Sequence, residues 1–247
     1  MTRTKSMICL VAIAAMLTSS AVADESAAVK ELVVKGPHSI NIKVRMEGPY
    51  TADTSLQIVC YFKYTADGAK RMTGAPVELD KRLGGVINSL RARGEFPGEP
   101  LETILLKPKD GAIKAKSLLL IGLGDESQLS VTTMERVGQT SLRQAKAIGA
   151  TKVAFAPLLR DQGNSALGVG AVETAVVKGM LLAYDTELRL QNEGLSNDYK
   201  LTDWSVEAGP AYFDETVAGV REAVSQAAAE TANRPADKYA TQSDASR

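Results

Sequence analysis

The apolar residues of this chain change period from segment to segment, and that order constrains the fold more than any other feature. The stretch "SINIKVRM" (39–46) alternates without a break through Ile40, Ile42, Val44 and Met46, the pattern of a half-buried strand. The next, "SLQIVCYFKY" (55–64), is more continuously apolar and therefore reads as a central strand. Gly48-Pro49 marks the turn between them. From Pro76 the period becomes helical: Leu79, Leu83, Val86, Ile87 and Leu90 share one face, and Gly94 can close the helix. Strands follow at 101–107 and 117–124. A helix opens on Thr132-x-x-Glu135 as a capping box and ends at Gly149, with Met134, Val137, Leu142, Ala145 and Ile148 on its apolar face. A short buried strand at 151–157 comes next, then a helix rich in small residues from Asn164-Ser165 to about Tyr184. An alternating strand at 200–208 and a helix from Asp214 to about Ala232 complete the order. Such an alternation predicts an α/β fold, a mixed and mostly parallel sheet with helices on both faces.

The N-terminus reads as a removable signal and not as part of the fold. Arg3 and Lys5 precede the apolar run 7–17, which is too short to span a bilayer, and Ala21-Val22-Ala23 offers a small-x-small cleavage site. The expected organisation is a signal peptide at 1–23, a lead-in at 24–37, a domain at 38–232 and a disordered polar tail at 233–247. The expected location is periplasmic or secreted. Loss of the signal leaves 27 basic against 29 acidic residues, a net charge of −2. Without a basic excess to neutralise phosphates, nucleic acid is not an expected partner. Cys9 leaves with the signal, so Cys60, among apolar residues, reads as a buried strand thiol. With 45% apolar and 23% charged residues, the chain can build a core without disulfides.

The chemistry-bearing residues are few. The run "LLLIGLGDES" (118–127) ends in Gly122-Leu123-Gly124-Asp125, but a dinucleotide fingerprint needs a third glycine where Ser127 stands. It reads as a strand leaving the sheet through a glycine turn. A ligand-contacting loop at the carboxyl end of a parallel strand is the alternative. Gly84 and Gly85 are read as lying inside a helix, tolerated because they pack closely on the sheet. The single histidine, His38, reads as a surface residue, and no Gly-x-Ser-x-Gly elbow accompanies it. One histidine and one mature cysteine do not make a zinc site. Asp80, Asp125, Glu126 and Glu173 are scattered and read as solvated charges or helix-end partners. No metal and no cofactor are expected.

Taken in order, several segments resemble the N-terminal domain of the leucyl aminopeptidase family, peptidase family M17. These are Leu79-Asp80 to Gly84-Gly85, Gly94-Glu95-Phe96-Pro97-Gly98, and Ile121-Gly122-Leu123-Gly124. To them are added 143–157, the helix 171–189 (Ala175 standing where glycine is common) and 219–237. The resemblance implies a three-layer αβα sandwich similar to macro domains. It carries over no metal ligand or catalytic residue, because the family's Asn-Thr-Asp-Ala-Glu-Gly-Arg motif does not occur here. The expectation is a non-catalytic module that binds a protein partner, either a second copy or a separate aminopeptidase subunit. The alternative is a small-ligand binder for a nucleotide or ADP-ribose-like molecule, with Gly84, Gly85, Gly122, Gly124 and Asp125 at the rim of a macro-like cleft. A self-sufficient metal-dependent aminopeptidase is the least favoured reading.

Overall fold

The computed structural model describes residues 29–235. The N-terminal run read as an export signal, and the tail beyond residue 235, lie outside the described residues. Strand β3 (Leu56–Tyr61) is buried along its whole length. Ile58 and Cys60 enter one apolar layer, Val59 and Tyr61 the other. A strand with no solvent face has no polar side to show, hence its continuous apolar run. It pairs in parallel with β5 (Leu118–Gly122) and with β6 (Lys152–Ala156). Beyond β6 follow β7 (Asp203–Glu207) and β2 (Asn41–Arg45), again parallel. Two antiparallel strands form the edges, β1 (Glu31–Lys35) on β2 and β4 (Thr103–Leu106) on β5. The sheet order is β1-β2-β7-β6-β3-β5-β4, the mixed and mostly parallel arrangement that the element order predicts.

Helices cover both faces and make this a three-layer sandwich. On one side α2 (Ala75–Arg82) and α3 (Val86–Ala92) bury Leu79 and Ile87 against Tyr61, Phe96 and Leu120, with α1 (Ala66–Arg71) beside them. On the other, α4 (Val131–Ala147), α5 (Val169–Asn192) and α6 (Phe213–Ala232) close the larger apolar layer, which contains Trp204, Phe155 and Met180. The backbones of α4 and α5 touch at Gly138 and Gly179. A Cβ on Gly138 would lie 2.0 Å from the Val176 oxygen, and one on Gly179 would lie 2.0 Å from the Glu135 oxygen.

Several boundaries differ from the sequence reading. The segment 24–37 is not merely a lead-in, since β1 lies in it and inserts Leu32 and Val34 against the core. The single helix read from Pro76 to Gly94 is two helices. Gly84 and Gly85 have φ of 72° and 80°, and no atom lies within 4 Å of a Cβ built on either. They break the helix because they adopt a left-handed turn, and they do not pack on the sheet. The N-cap of α4 is Ser130, whose Oγ accepts from Thr133 N at 3.1 Å, so the capping chemistry sits two residues before the Thr132 box. Asn164 forms only a local turn, accepting from Ala166 N at 3.1 Å. Helix α5 begins at Val169 and runs on to Asn192, because it is covered by α4 on one flank and α6 on the other.

His38 and the end of α6 meet at a buried carboxylate. Asp185, 5% exposed, accepts from Arg189 Nε at 2.9 Å and from Arg234 Nη1 at 2.7 Å, with His38 Nε2 at 3.2 Å. Burial alone would raise its pKa, but the hydrogen bonds and charges of the two arginines outweigh burial and hold it below the usual carboxylate value. His38 is the surface residue expected, and its ring also reaches the buried Asp185. The residues 233–235, read as the start of a disordered tail, are likewise held, through Arg234 and through the bond from Arg189 Nη1 to Pro235 O. Replacing Arg234 with alanine is expected to cost about 1–3 kcal/mol, the range for a hydrogen bond to a charged partner plus the desolvation left behind. Urea unfolding of the full chain measures it, and an unchanged midpoint would show that the contact is idle.

Candidate functional site

In open α/β sheets the carboxyl ends of the parallel strands form the natural binding edge, where loops diverge and helix N-termini face outward. A concave site of about 290 Å3 occupies this edge. Its floor comes from the ends of β6 and β7, at Ala156 and Glu207, and from Glu47 just past β2. Its walls are the loop 157–161, the first turns of α5 at Val169, Val172 and Glu173, and Tyr212 and Thr216 at the start of α6. The lining is mainly apolar, and its charged groups are the carboxyls of Glu47, Asp161, Glu173 and Glu207 and one cation, Arg160.

The loop is held from below. Gln162, 4% exposed, donates from Nε2 to Cys60 O and Leu158 O at 3.0 and 3.1 Å, and its Oε1 accepts from Phe62 N at 3.1 Å. Arg160 donates to Asn164 O and Leu167 O at 3.1 and 2.7 Å. Leu158 lines the site with φ of 56°, a left-handed conformation that costs a branched residue of order 1–3 kcal/mol and persists only where its surroundings over-determine it.

The carboxyls are unusual for their environment. Glu173 on α5 is 2% exposed, and its Oε2 has no hydrogen-bond partner. Burial pushes its pKa up to about 8, so it carries a proton at neutral pH. Glu207 at the end of β7 is 8% exposed, with neither oxygen well partnered. Burial first, and then repulsion from Glu47, raise its pKa well above the ordinary value, while the Gln57 amide beside it offsets part of that. Glu47 is also raised by burial, though Arg45 Nη1 lies 2.7 Å from its Oε1. One side of an apolar hollow thus holds three carboxyls, Glu173, Glu207 and Glu47, whose proton affinity burial raises. The N-terminus of α5 already has an anion of its own, since Glu215 Oε1 accepts from Gly170 N at 2.9 Å.

The residues singled out from sequence lie elsewhere. Gly84 and Gly85 form the α2–α3 junction, and Gly122 to Asp125 the exit of β5; neither group lines this cleft. Gly122 is fixed by crowding: a Cβ there would lie 2.1 Å from Glu99 O, because the 98–101 segment crosses over the strand end. Gly124 receives Lys63 N on its carbonyl at 2.8 Å and donates to Gly98 O at 2.9 Å. Asp125 is exposed beside a shallow hollow that includes Arg136. Asp80 is the helix-end partner expected of it, its Oδ1 accepting from Ile87 N and Asn88 N at 2.8 and 3.1 Å. Glu126 pairs with Arg71 at 2.8 Å. Glu173 is the exception, neither solvated nor a helix-end partner. Its sequence signal was an acid flanked by Val172, Ala175, Val176 and Val177 in a helix with little polar face.

Comparison with known proteins places this geometry. The family profile described as "Cytosol aminopeptidase family, N-terminal domain" matches residues 58–190. A probable cytosol aminopeptidase of Alkaliphilus oremlandii is 29% identical over 143 residues, covering 56% of this chain and 28% of the relative. One from Geotalea uraniireducens is 31% identical over 106 residues, 42% of this chain and 20% of the relative. The chain thus spans under a third of the length of these curated relatives. Among solved structures, a tomato leucine aminopeptidase mutant superposes with a TM-score of 0.56 at 18% identity, over 78% of this chain and 36% of that one. The Oceanobacillus iheyensis macrodomain with ADP superposes with a TM-score of 0.54 at 8% identity, over 80% of this chain and 98% of that one. Both show the same fold.

Proposed function

The chain belongs to the cytosol aminopeptidase family through its N-terminal domain, and from that premise we propose that it is an exported, non-catalytic binding module whose carboxyl-edge cleft receives a small ligand bearing a nitrogen donor, most simply an alkylamine. The observation that carries this reading is the pair of buried, under-partnered carboxyls, Glu173 and Glu207, lining an apolar hollow. A buried polar group without a partner costs about 1–3 kcal/mol, and a ligand that satisfies it recovers that cost. An ammonium would draw the protons off these acids and leave neutral pairs. A nucleotide or ADP-ribose would bring negative charge against four carboxyl residues and a helix N-terminus already capped by Glu215, with Arg160, itself engaged on two backbone carbonyls, the one cation in the lining, so the alternative reading has less support. Among the described residues, no group of three or more His, Cys, Asp or Glu is placed to hold a metal ion. Export rests on the N-terminal sequence pattern alone.

Titration of the full chain with 3-methylbutylamine, followed by thermal unfolding and calorimetry, tests the reading. Amine at about 100 times its dissociation constant should add about 2.7 kcal/mol of stability. Binding should release protons and tighten as pH rises towards 8. Absence of binding, or stabilisation by ADP-ribose in its place, would overturn it.

A protein partner, a second copy or a separate aminopeptidase subunit, is the second reading. It is favoured by the two edge strands, where Val33 and Leu105 are 44% and 46% exposed beside unpaired backbone groups. Light scattering after size exclusion distinguishes it: a monomer that retains no aminopeptidase subunit on mixing argues against it.

A further inference from the structure

A second cavity, of about 400 Å3, opens on the opposite face of the sheet between β3, α1, α2 and α3. Its lining includes Arg91, an arginine on the buried side of α3, four residues after Ile87. Arg91 is 4% exposed, yet among the described residues no carboxylate forms an ion pair with it. Its Nη2 donates to Phe62 O at 2.8 Å, Nη1 contacts Met72 Sδ at 3.5 Å, and Nε has no partner. The guanidinium lies against the rings of Tyr61 and Tyr64, 4.6 and 5.6 Å from their centroids. The Tyr61 hydroxyl, fully buried and also lining the cavity, has no partner either. Asp80, the acid nearest in chain and space on α2, has its Oδ1 committed to the amides of Ile87 and Asn88. Lys70 at the rim is exposed and 3.7 Å from Asp67.

A buried cation without a hydrogen-bonded counter-ion is costly: Asp80 also lines this cavity, but it forms no ion pair with Arg91, and its charge offsets only part of the desolvation that lowers the Arg91 pKa. Two unsatisfied donors, the Arg91 Nε–H and the Tyr61 O–H, lie beside the same hollow, and Met72, Ile87 and the Tyr64 ring line the rest of it. We propose that this pocket binds a small carboxylate with an apolar body, its oxygens on Arg91 and Tyr61 and its body against Met72, Ile87 and Tyr64. A monoanion matches the single buried positive charge. A phosphate dianion would require a second buried cation, which the pocket does not supply. The planar fork of a guanidinium suits a carboxylate in addition.

Calorimetric titration of the full chain with 4-methylpentanoate, its amide and inorganic phosphate tests this. The carboxylate should bind, and the amide, which lacks the charge, should bind at least tenfold more weakly. Arg91→Met should abolish carboxylate binding. Should that variant fail to fold, Tyr61→Phe should weaken binding severalfold while far-ultraviolet dichroism stays unchanged. No binding of the carboxylate, equal binding of the amide, preference for phosphate, or full binding by Arg91→Met or by folded Tyr61→Phe would each overturn the proposal.

Discussion

Exchanging Glu173 for glutamine should stabilise the protein at pH 8 and remove the share of its loss of stability between pH 4.5 and about 8 that Glu173 causes. The sign follows from proton binding. In the unfolded chain Glu173 ionises near its ordinary value of 4.5, whereas in the folded protein burial holds the proton on up to about 8. Between these values the native state binds one more proton than the unfolded state. Stability therefore falls as pH rises, by roughly 1.4 kcal/mol per pH unit for one such group. Across the window this amounts to roughly 5 kcal/mol, fully present below pH 4.5 and gone above about 8. Glutamine has nearly the same shape and stays neutral, so its contribution does not vary with pH. Glu207, raised in the same direction, leaves a residual slope in the variant. Urea midpoints at mildly acidic and mildly alkaline pH measure the difference. Parallel pH profiles for the two proteins would show that Glu173 is ionised in the fold.

The second large effect is expected at the crossing of α4 and α5. In a solvent-exposed helix, glycine to alanine stabilises by about 1 kcal/mol. At Gly179 the sign should reverse. Its Cβ would stand 2.0 Å from the Glu135 carbonyl oxygen, a backbone atom that cannot swing aside as a side chain would. The helices must separate, opening the layer that holds Val137, Val176 and Met180. Overpacking of a fitted core costs about 1–3 kcal/mol and sometimes more, and a backbone contact of this closeness belongs at or above the top of that range. Gly179→Ala should thus lose at least about 3 kcal/mol in chemical denaturation. Gly138→Ala should behave alike, and the double variant should cost less than the two singles combined, because one separation relieves both clashes. A neutral or stabilised Gly179→Ala would show that the helices are not in backbone contact.

Elements whose burial follows from their own pattern were legible before any coordinates. Met134, Val137, Leu142 and Ala145 on α4, and the continuous apolar β3 and β5, occupy the layers their spacing assigns. Where local pattern and tertiary contact compete, tertiary contact sets the boundaries. The apolar face shared by Leu79 and Ile87 suggested one helix, but two left-handed glycines turn it into two, with Val86 left 37% exposed. The stretch rich in small residues suggests a helix ending near Tyr184, whereas α5, packed between α4 and α6, runs on to Asn192.

The candidate sites were far less legible than the fold. The glycines at 122 and 124 attracted attention because glycine-rich turns often hold phosphates, whereas here they make room for the backbone of the 98–101 segment and the ring of Pro100. The groups that line the two cavities are ordinary-looking residues, Glu173, Glu207 and Arg91, with no motif around them. Arg91 carried one faint signal, its spacing of four from Ile87 on the buried side of a helix. Glu207 carried none, since alternation along "DWSVE" assigns it to a polar face that exists only on a strand exposed to water.

The sequence by itself determined the α/β class and most of the order of strands and helices, because hydrophobic period is a local property that each segment states for itself, while its motifs carried the family resemblance. Only the tertiary structure decided which charged side chains lose their water. That depends on what distant segments bring over them: β7 lies inside the sheet between β2 and β6, and α5 between two other helices. Desolvation by those neighbours, and not residue type, turns two glutamates and an arginine from surface charges into the features on which binding would depend.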